Sequence, residues 1–213
     1  MNGRYPVLLD LSRLRILVIG GGEVALRKVR GILEAGGKPY VLSPEVKPEL
    51  ERLIAQHRLD WQDRRYEEGD LRRFALVFAA TNDPDVNAEI AAEAEATGAL
   101  VNVADDGDES TFHVPAAIRQ GDVVVALSTG GASPLLSRRL RERLESSVIT
   151  PGLGRAAGRL SALRRLVHER WPGDEARRRE AWFELITPEF LDAAIAGRDA
   201  EVEQRIARCL SQS

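Results

Sequence analysis

The chain has 213 residues, of which 44% are apolar, and this supports a hydrophobic core without disulfides or a structural metal. Its 30 basic and 33 acidic residues leave a net charge of −3, and this near balance argues against a nucleic-acid-binding protein. The single Cys209 excludes an internal disulfide framework, and no apolar run approaches the ~20 residues of a membrane span. We therefore expect a cytoplasmic protein with neither a membrane nor a nucleic acid as its partner.

Strand and helix patterns alternate through the first half of the chain. Helical periodicity separates the strands, and one helix is expected to stop at Gly36 and another at Gly98. The alternation predicts an α/β fold, with a Rossmann-like doubly wound parallel sheet over residues 1–113. The predicted strands are the apolar runs 15–19, 39–43, 75–80 and 99–104, with a weaker one around 59–66.

The pattern changes after Pro115. A strand is predicted over 122–128, and a helix capped by Ser133 is predicted to run from Pro134 to about Leu144. The remainder is helical, with breaks predicted at Pro151-Gly152, Pro172-Gly173 and Pro188. We therefore divide this part into a small segment, 114–146, and a helical C-terminal domain, 147–213.

A glycine-rich motif, Gly20-x-Gly22-x-x-Ala25, lies between the first predicted strand and helix. Gly20 permits a tight turn, Gly22 lets backbone amides approach a pyrophosphate, and Ala25 allows the helix to pack closely on the strand. A purely structural glycine turn is the alternative. The flanking strand and helix favour a dinucleotide cofactor of the NAD type.

Two further segments follow strands whose carboxyl ends should border the cofactor crevice. The acidic residue that usually grips the ribose is replaced by Ser43, with Glu45 beyond Pro44, so this position leaves the choice between NAD and NADP open. Thr81 and Asn82 follow the fourth strand, where they either contact the cofactor or only cap the next helix.

Asp105 follows the fifth predicted strand and is the strongest candidate for a catalytic group, although an ordinary acidic loop would look the same. His113 titrates near neutral pH when unperturbed, but a His between Phe112 and Val114 is more often a packed core residue. The spacing of the His residues and the lone Cys give no metal signature, so no metal site is predicted. Redox chemistry on a bound nucleotide is the favoured reading.

An ordered set of motifs resembles the precorrin-2 dehydrogenase family over residues 3–146. The same module opens the multifunctional siroheme synthases, and we expect this chain to lack their methyltransferase domain. The motifs that carry the resemblance are Tyr5-Pro-Val-Leu-Leu-Asp-Leu11, Val18-Ile-Gly-Gly-Gly-Glu-Val-Ala25, Arg27-Lys28, Ala79-Ala-Thr-Asn-Asp-Pro84, Val101-Asn-Val-Ala-Asp105, Phe112-His-Val-Pro115 and Ser128-Thr-Gly-Gly-Ala-Ser-Pro134.

The resemblance implies oxidation of precorrin-2 to sirohydrochlorin with NAD as cofactor, in siroheme biosynthesis. It also implies a homodimer in which 114–146 is the dimerisation segment. The family's key aspartate falls on Asp105, which would accept a proton or orient the macrocycle. The implied cofactor contacts are Gly22, Glu23, Val24, Ser43, Pro44, Glu45 and Thr81.

Precorrin-2 carries eight carboxylates, so the Arg-rich region after Pro134 gains a purpose beyond a solvated helical surface. The substrate-binding candidates are His113, Arg119, Ser128, Arg138 and Arg139. Two alternatives stay open at this point. One is a bifunctional enzyme that also inserts Fe²⁺ into sirohydrochlorin, and the other is a non-catalytic NAD(H)-sensing module.

Overall fold

A computed structural model describes residues 4–104 and 107–211, and the chain divides into two compact units, Met1–Val114 and Pro115–Ser213. The first unit contains a five-stranded parallel sheet with the order β3-β2-β1-β4-β5, which confirms the predicted Rossmann-like fold. Its strands are β1 (Ile16–Ile19), β2 (Pro39–Leu42), β3 (Trp61–Gln62), β4 (Leu76–Ala79) and β5 (Leu100–Val103), and its helices are α1 (Glu23–Glu34), α2 (Pro48–His57) and α3 (Pro84–Thr97).

Both faces of this sheet are buried, which explains why its strands are short, nearly continuous apolar runs. Ile16 and Val18 of β1 point to the face covered by α1 and α2, whereas Leu17 and Ile19 point to the face covered by α3. These four side chains are at most 3% exposed, and each such burial contributes about 1.5–3 kcal/mol. The alternation of faces along each strand therefore holds the layers together.

The connection between β3 and β4 contains no helix. The weak strand predicted over 59–66 is only two residues long, because Arg64 turns back and its N–H donates to the carbonyl oxygen of Gln62. Residues 63–75 then cover the α3 side of the sheet as an irregular segment, in which Leu71 and Phe74 are buried. One wall of the first unit is thus built from loop rather than helix.

The free side of β5 is covered by residues 110–112, which form no strand. The hydroxyl of Thr111 accepts from the N–H of Val101, and the hydroxyl of Ser110 accepts from the N–H of Val103. The N–H of Thr111 in turn donates to the carbonyl oxygen of Val101 at 2.9 Å. These bonds fix the chain just before His113.

The second unit begins with an antiparallel hairpin that was only half predicted. Its first strand was not anticipated, because Ala-Ala-Ile-Arg-Gln has little strand propensity and is stabilised by pairing with its neighbour. α4 continues to Ser147, three residues past the predicted end, and Pro151 begins a helix rather than breaking one. The elements are β6 (Ala116–Gln120), β7 (Val123–Leu127), α4 (Pro134–Ser147), α5 (Pro151–Arg170), α6 (Glu175–Leu185), α7 (Pro188–Ile195) and α8 (Asp199–Ser211).

Helices α5 to α8 share an apolar core around Leu163, Phe190 and Val202. α5 approaches the hairpin closely at Gly154, where a Cβ would lie 2.6 Å from the carbonyl oxygen of Gln120. The helical character predicted for this part is confirmed. None of the helices in the described ranges is long and apolar enough to cross a membrane.

Candidate active site

The glycine loop between β1 and α1 is shaped by two backbone contacts. Gly20 has a φ of +121°, and a Cβ there would overlap the carbonyl oxygen of Ala80 after β4. A Cβ on Gly21 would overlap the carbonyl oxygen of Glu45 after β2. Gly21 was not among the predicted site residues, although the run of three glycines was the signal for it. The loop is therefore clamped between the ends of β4 and β2.

Gly22 differs from its two neighbours because nothing lies within 4 Å of the position of a Cβ. It is the N-cap of α1, and no side chain accepts a hydrogen bond from the first turn. By contrast, α3 to α7 each have a side-chain cap. The first N–H groups of α1 thus remain available in open space, which suits the pyrophosphate of a dinucleotide.

Ser43, Pro44 and Glu45 form a tight turn at the carboxyl end of β2. The hydroxyl of Ser43 donates to the carbonyl oxygen of Glu45 at 2.6 Å, and the carbonyl oxygen of Ser43 accepts from the indole N–H of Trp61 at 2.9 Å. Ser43 is 6% exposed, whereas Pro44 and Glu45 are exposed. The hydroxyl of Ser43 keeps its lone pairs for accepting, while Glu45 presents a carboxylate to solvent.

Glu23 and Val24 begin α1 with different environments. Glu23 is exposed, and its carboxylate pairs with Lys47 Nζ at 2.9 Å. This hydrogen bond lowers the pKa of Glu23 and raises the pKa of Lys47. Val24 packs against the core on the α1 side of the sheet. Because the positive charge of Lys47 offsets the negative charge of Glu23, the carboxylate adds little repulsion against a phosphate at the same helix end.

Thr81 lies at the carboxyl end of β4 and is held by a buried residue that sequence reasoning missed. Its hydroxyl donates to Asn87 Oδ1 at 2.8 Å, and Asn87 is 7% exposed. The helix cap is Asp83, whose carboxylate accepts from the N–H of Asp85. Thr81 is therefore positioned by α3 rather than capping it, and Asn82 is exposed beside it.

The predicted catalytic residue, Asp105, lies outside the described residues. It directly follows Ala104, whose N–H donates to the carbonyl oxygen of Ala79 at 2.8 Å, at the carboxyl edge of the sheet. Gly107 is the next described residue, and a Cβ on it would be 3.5 Å from Cε1 of His113. His113 thus lies next to Gly107, which follows Asp105 by two positions in the sequence.

A polar network around Asn102, next to Phe112, was not predicted. Asn102 of β5 is 7% exposed; its Oδ1 accepts from Lys28 Nζ at 2.6 Å, and its Nδ2 donates to the carbonyl oxygen of Phe112 at 3.1 Å. Lys28 Nζ also lies 5.5 Å from the ring centroid of Phe78. The network joins α1, β5 and the segment before His113. Its only sequence signal was an amide in the middle of an apolar strand.

His113 is half-buried and occupies a positively charged corner of the first unit. Burial lowers its pKa, and the charges of Arg4 and Lys28 lower the pKa further, so the imidazole is neutral near pH 7. Its Nε2 is buried without a hydrogen-bond partner among residues 4–104 and 107–211. A neutral imidazole in this position can accept or donate a proton.

The remaining substrate candidates belong to the second unit. Arg119 is exposed on β6, and Ser128 is exposed after β7, where its hydroxyl accepts from the N–H of Gly130. Arg138 and Arg139 of α4 both pair with Glu142, at 2.9 and 3.2 Å, and their side chains are 73% and 74% exposed. Their contact with a substrate stays a prediction.

Within the first unit, the structure brings the predicted cofactor residues to one edge of the sheet. The N–H of Lys47 donates to the carbonyl oxygen of Gly21, so the glycine loop and the turn after β2 are directly joined. A bound dinucleotide fits the uncapped start of α1, the free space at Gly22 and the pairing of Glu23 with Lys47. No group of three or more potential metal ligands occurs within the described ranges.

Comparisons with known proteins agree with this geometry. A family model described as "Putative NAD(P)-binding" matches residues 7–116, and one described as "Sirohaem biosynthesis protein central" matches residues 120–147. The solved structure of SirC, precorrin-2 dehydrogenase, is 31% identical with a TM-score of 0.75, and the match covers 96% of this chain and 100% of that chain. The chain belongs to the precorrin-2 dehydrogenase family. The resemblance drawn from the motifs and the nicotinamide-dinucleotide cofactor are thereby confirmed.

Curated relatives of this precorrin-2 dehydrogenase family member are longer. The siroheme synthase of Chromobacterium violaceum is 42% identical over 207 residues, covering 95% of this chain and 44% of that protein. The siroheme synthase of Nitrosomonas europaea is 36% identical, covering 98% of this chain and 44% of that protein. The chain thus spans less than half the length of these relatives.

Proposed function

We propose that this protein oxidises precorrin-2 to sirohydrochlorin with NAD⁺ as the hydride acceptor, as a step of siroheme biosynthesis. The observation that carries the proposal is the match to SirC, which covers that precorrin-2 dehydrogenase over its whole length. The free space at Gly22 and the uncapped start of α1 support the proposal, because the reaction requires a site for the pyrophosphate of a dinucleotide. We place this reaction in the cytoplasm, since a reducing compartment is consistent with a chain whose single cysteine, Cys209, is a free thiol.

In the proposed mechanism the protein mainly binds and orients. The first turn of α1 would hold the pyrophosphate, Ser43 and Glu45 would contact the adenosine ribose, and Thr81 would border the crevice. A bound NAD⁺ would supply the hydride-accepting chemistry. Loss of hydride leaves one proton to be removed from the macrocycle, and we assign its acceptance to Asp105. The neutral His113, which lies next to Gly107, is the second candidate for proton transfer.

The test is anaerobic turnover of precorrin-2 with NAD⁺, followed by NADH absorbance. We expect Asp105→Asn to lose about 100-fold or more in rate. Asp60→Asn is the matched control, because Asp60 is an exposed carboxylate at the opposite end of the sheet, and it should react like wild type. Absence of NADH from protein shown to bind NAD⁺ would overturn the proposal. Equal rates in both variants would keep the enzyme but remove Asp105 from the mechanism.

We also propose that the protein is a homodimer that packs through α4. No residue of this helix is buried in the single chain, and Leu135, Leu136 and Leu140 are 64%, 50% and 40% exposed. Such an unpartnered apolar surface is typical of an interface. Wild type should sediment at twice the 23.5 kDa chain mass. Leu136→Glu should give monomers, whereas Leu166→Glu on the exposed side of α5 should not.

The alternative of added chelatase activity stays a prediction from the family resemblance. Its test is the rate of Fe²⁺ insertion into sirohydrochlorin with and without the protein. A non-catalytic NAD(H) sensor would instead bind NADH and give no turnover in the precorrin-2 assay.

A further inference from the structure

A cavity of about 210 Å³ opens on the α3 side of the sheet, and two of its lining residues, Leu42 and Gln62, adjoin Ser43 at the end of β2. It exists because residues 63–75 cross this face without a helix. Its floor is apolar and is formed by Leu17, Leu42 and Phe74, with Tyr40 packed edge-to-face on Phe74 at 5.2 Å. No residue assigned above to the pyrophosphate, ribose or β4 part of the cofactor site lines it.

The walls of this cavity are held in place without a ligand. Tyr66 donates its phenolic hydrogen to the carboxylate of Glu93 at 2.6 Å, and the N–H of Leu71 donates to the same carboxylate at 3.0 Å. Both bonds tie the irregular segment to α3. Leu71 is fully buried beneath it. The cavity is therefore preformed, which lowers the entropic cost of binding.

The rim carries more positive than negative charge. Asp70 accepts from Arg64 through both oxygens, at 2.6 and 2.7 Å, and also accepts from the N–H of Glu67 at 3.0 Å. These bonds lower the pKa of Asp70 and use its capacity to accept further hydrogen bonds. Its charge is thus already matched by Arg64.

Two other guanidinium groups on the rim lack such a partner. Among the residues that the structure describes, no carboxylate forms a salt bridge with Arg72 or Arg73. Arg73 lies 5.4 Å from the centroid of the Phe74 ring, and Arg72 lies over Gly69, whose absent side chain leaves the cavity open. Both arginines line the cavity. Arginine forks at the mouth of an apolar pocket suit a carboxylate or a phosphate attached to a ring.

We propose that this cavity is a second ligand site, which binds a small aromatic anion with its ring on the apolar floor and its charge against Arg72 and Arg73. The volume is below the range of about 300–1,000 Å³ that is typical of drug-sized ligands, so one or two rings fit. Carboxylates and phosphates share the required chemistry. The site is independent of the proposed dehydrogenase activity.

The experiment is an amide NMR titration with phenyl phosphate and with benzoate, each in the presence of saturating NAD⁺. We expect the signals of Gly69 and Phe74 to shift, with a Kd on the order of 1 mM for the better ligand. Arg72→Gln should weaken binding at least fivefold. Arg52→Gln is the matched control, since Arg52 is exposed on α2 and should leave the titration unchanged.

Arg72→Gln is preferred to Arg73→Gln because Arg73 stacks on a core ring and its loss affects packing as well. Inorganic phosphate carries the charge without the ring, and benzyl alcohol carries the ring without the charge. Each should therefore bind at least fivefold more weakly than phenyl phosphate. The phenyl phosphate titration is repeated without NAD⁺, and shifts that appear only in the absence of NAD⁺ would overturn the proposal, because the cavity would then be part of the cofactor site. The absence of shifts at Gly69 and Phe74 with either aromatic anion would also overturn it.

Discussion

Replacing Gly21 or Gly22 with alanine should affect two different properties: the first change should lower stability, and the second should lower the affinity for NAD⁺. In Gly21→Ala the new Cβ would overlap the carbonyl oxygen of Glu45 and lie 2.8 Å from Cα of Val46. Ordinary carbon contacts begin near 3.4 Å, so the contact with Val46 alone requires a retreat of about 0.6 Å, and the overlap with the carbonyl oxygen of Glu45 requires a larger one. Because both partners are backbone, we expect a loss of about 1–3 kcal/mol in the free energy of unfolding.

Gly22→Ala places the same methyl group in open space. Its φ of −83° is accessible to alanine, so strain is absent. The weaker N-cap preference of alanine and the reduced entropy of the unfolded chain nearly cancel, and stability should change by less than about 0.5 kcal/mol. The methyl group would, however, occupy the approach to the N–H groups of α1. We expect NAD⁺ affinity to fall by about tenfold, equivalent to about 1.4 kcal/mol.

Urea unfolding and calorimetric titration with NAD⁺ measure the two effects separately in each variant. Wild-type stability in Gly21→Ala would refute the clamp between the glycine loop and the turn after β2. Wild-type NAD⁺ affinity in Gly22→Ala would falsify the assignment of the pyrophosphate to this helix end. Equal losses of both properties in both variants would show that the loop responds as one unit.

Three further perturbations follow from the packing. Because the pKa of His113 is lowered in the folded protein, the unfolded chain binds more protons as the pH drops through about 6.5. The free energy of unfolding should therefore decrease as the pH is lowered through this region, and urea denaturation of His113→Gln should show a smaller decrease. Asn102→Leu removes the amide oxygen that accepts from the Lys28 ammonium, and it should lower the free energy of unfolding in urea by about 1–3 kcal/mol. Asn102→Gln should not restore this stability, because its longer side chain places the amide differently. Gly154→Ala should lower the free energy of unfolding by about 1–3 kcal/mol and so lower the melting temperature. Gly158→Ala, whose new Cβ has nothing within 4 Å, should raise the melting temperature. A higher melting temperature for Gly154→Ala than for Gly158→Ala would contradict the close approach of α5 to the hairpin.

The order of strands and helices in the first unit was predictable because each element carries a local signal. Apolar runs buried on both sides, a glycine after the first strand and an Asp-Pro before α3 are all short-range features. The same holds for Gly20 and Gly22, whose roles depend on a turn of a few residues. Local patterns thus predicted the frame of the candidate cofactor site.

What escaped prediction depends on partners distant in the chain. Lys28 and Asn102 are 74 residues apart, and neither residue type signals the hydrogen bond that joins them. Gly21 is constrained by Glu45 through the fold of a separate loop. β6 forms because β7 pairs with it, not because of its own sequence. Such features follow from tertiary packing, which the periodicity of the sequence does not indicate.

The hydroxyls that cover β5 also limit how the chain can associate. At one margin of the sheet, Ser110 and Thr111 already occupy N–H groups that a strand from another molecule would need. At the other margin, β3 offers only two paired residues, too short a template for β-augmentation. Both margins are thus poor nuclei for aggregation while the chain folds in a crowded cell. The dimer that we propose is accordingly assigned to the exposed leucines on α4 rather than to the margins of this sheet.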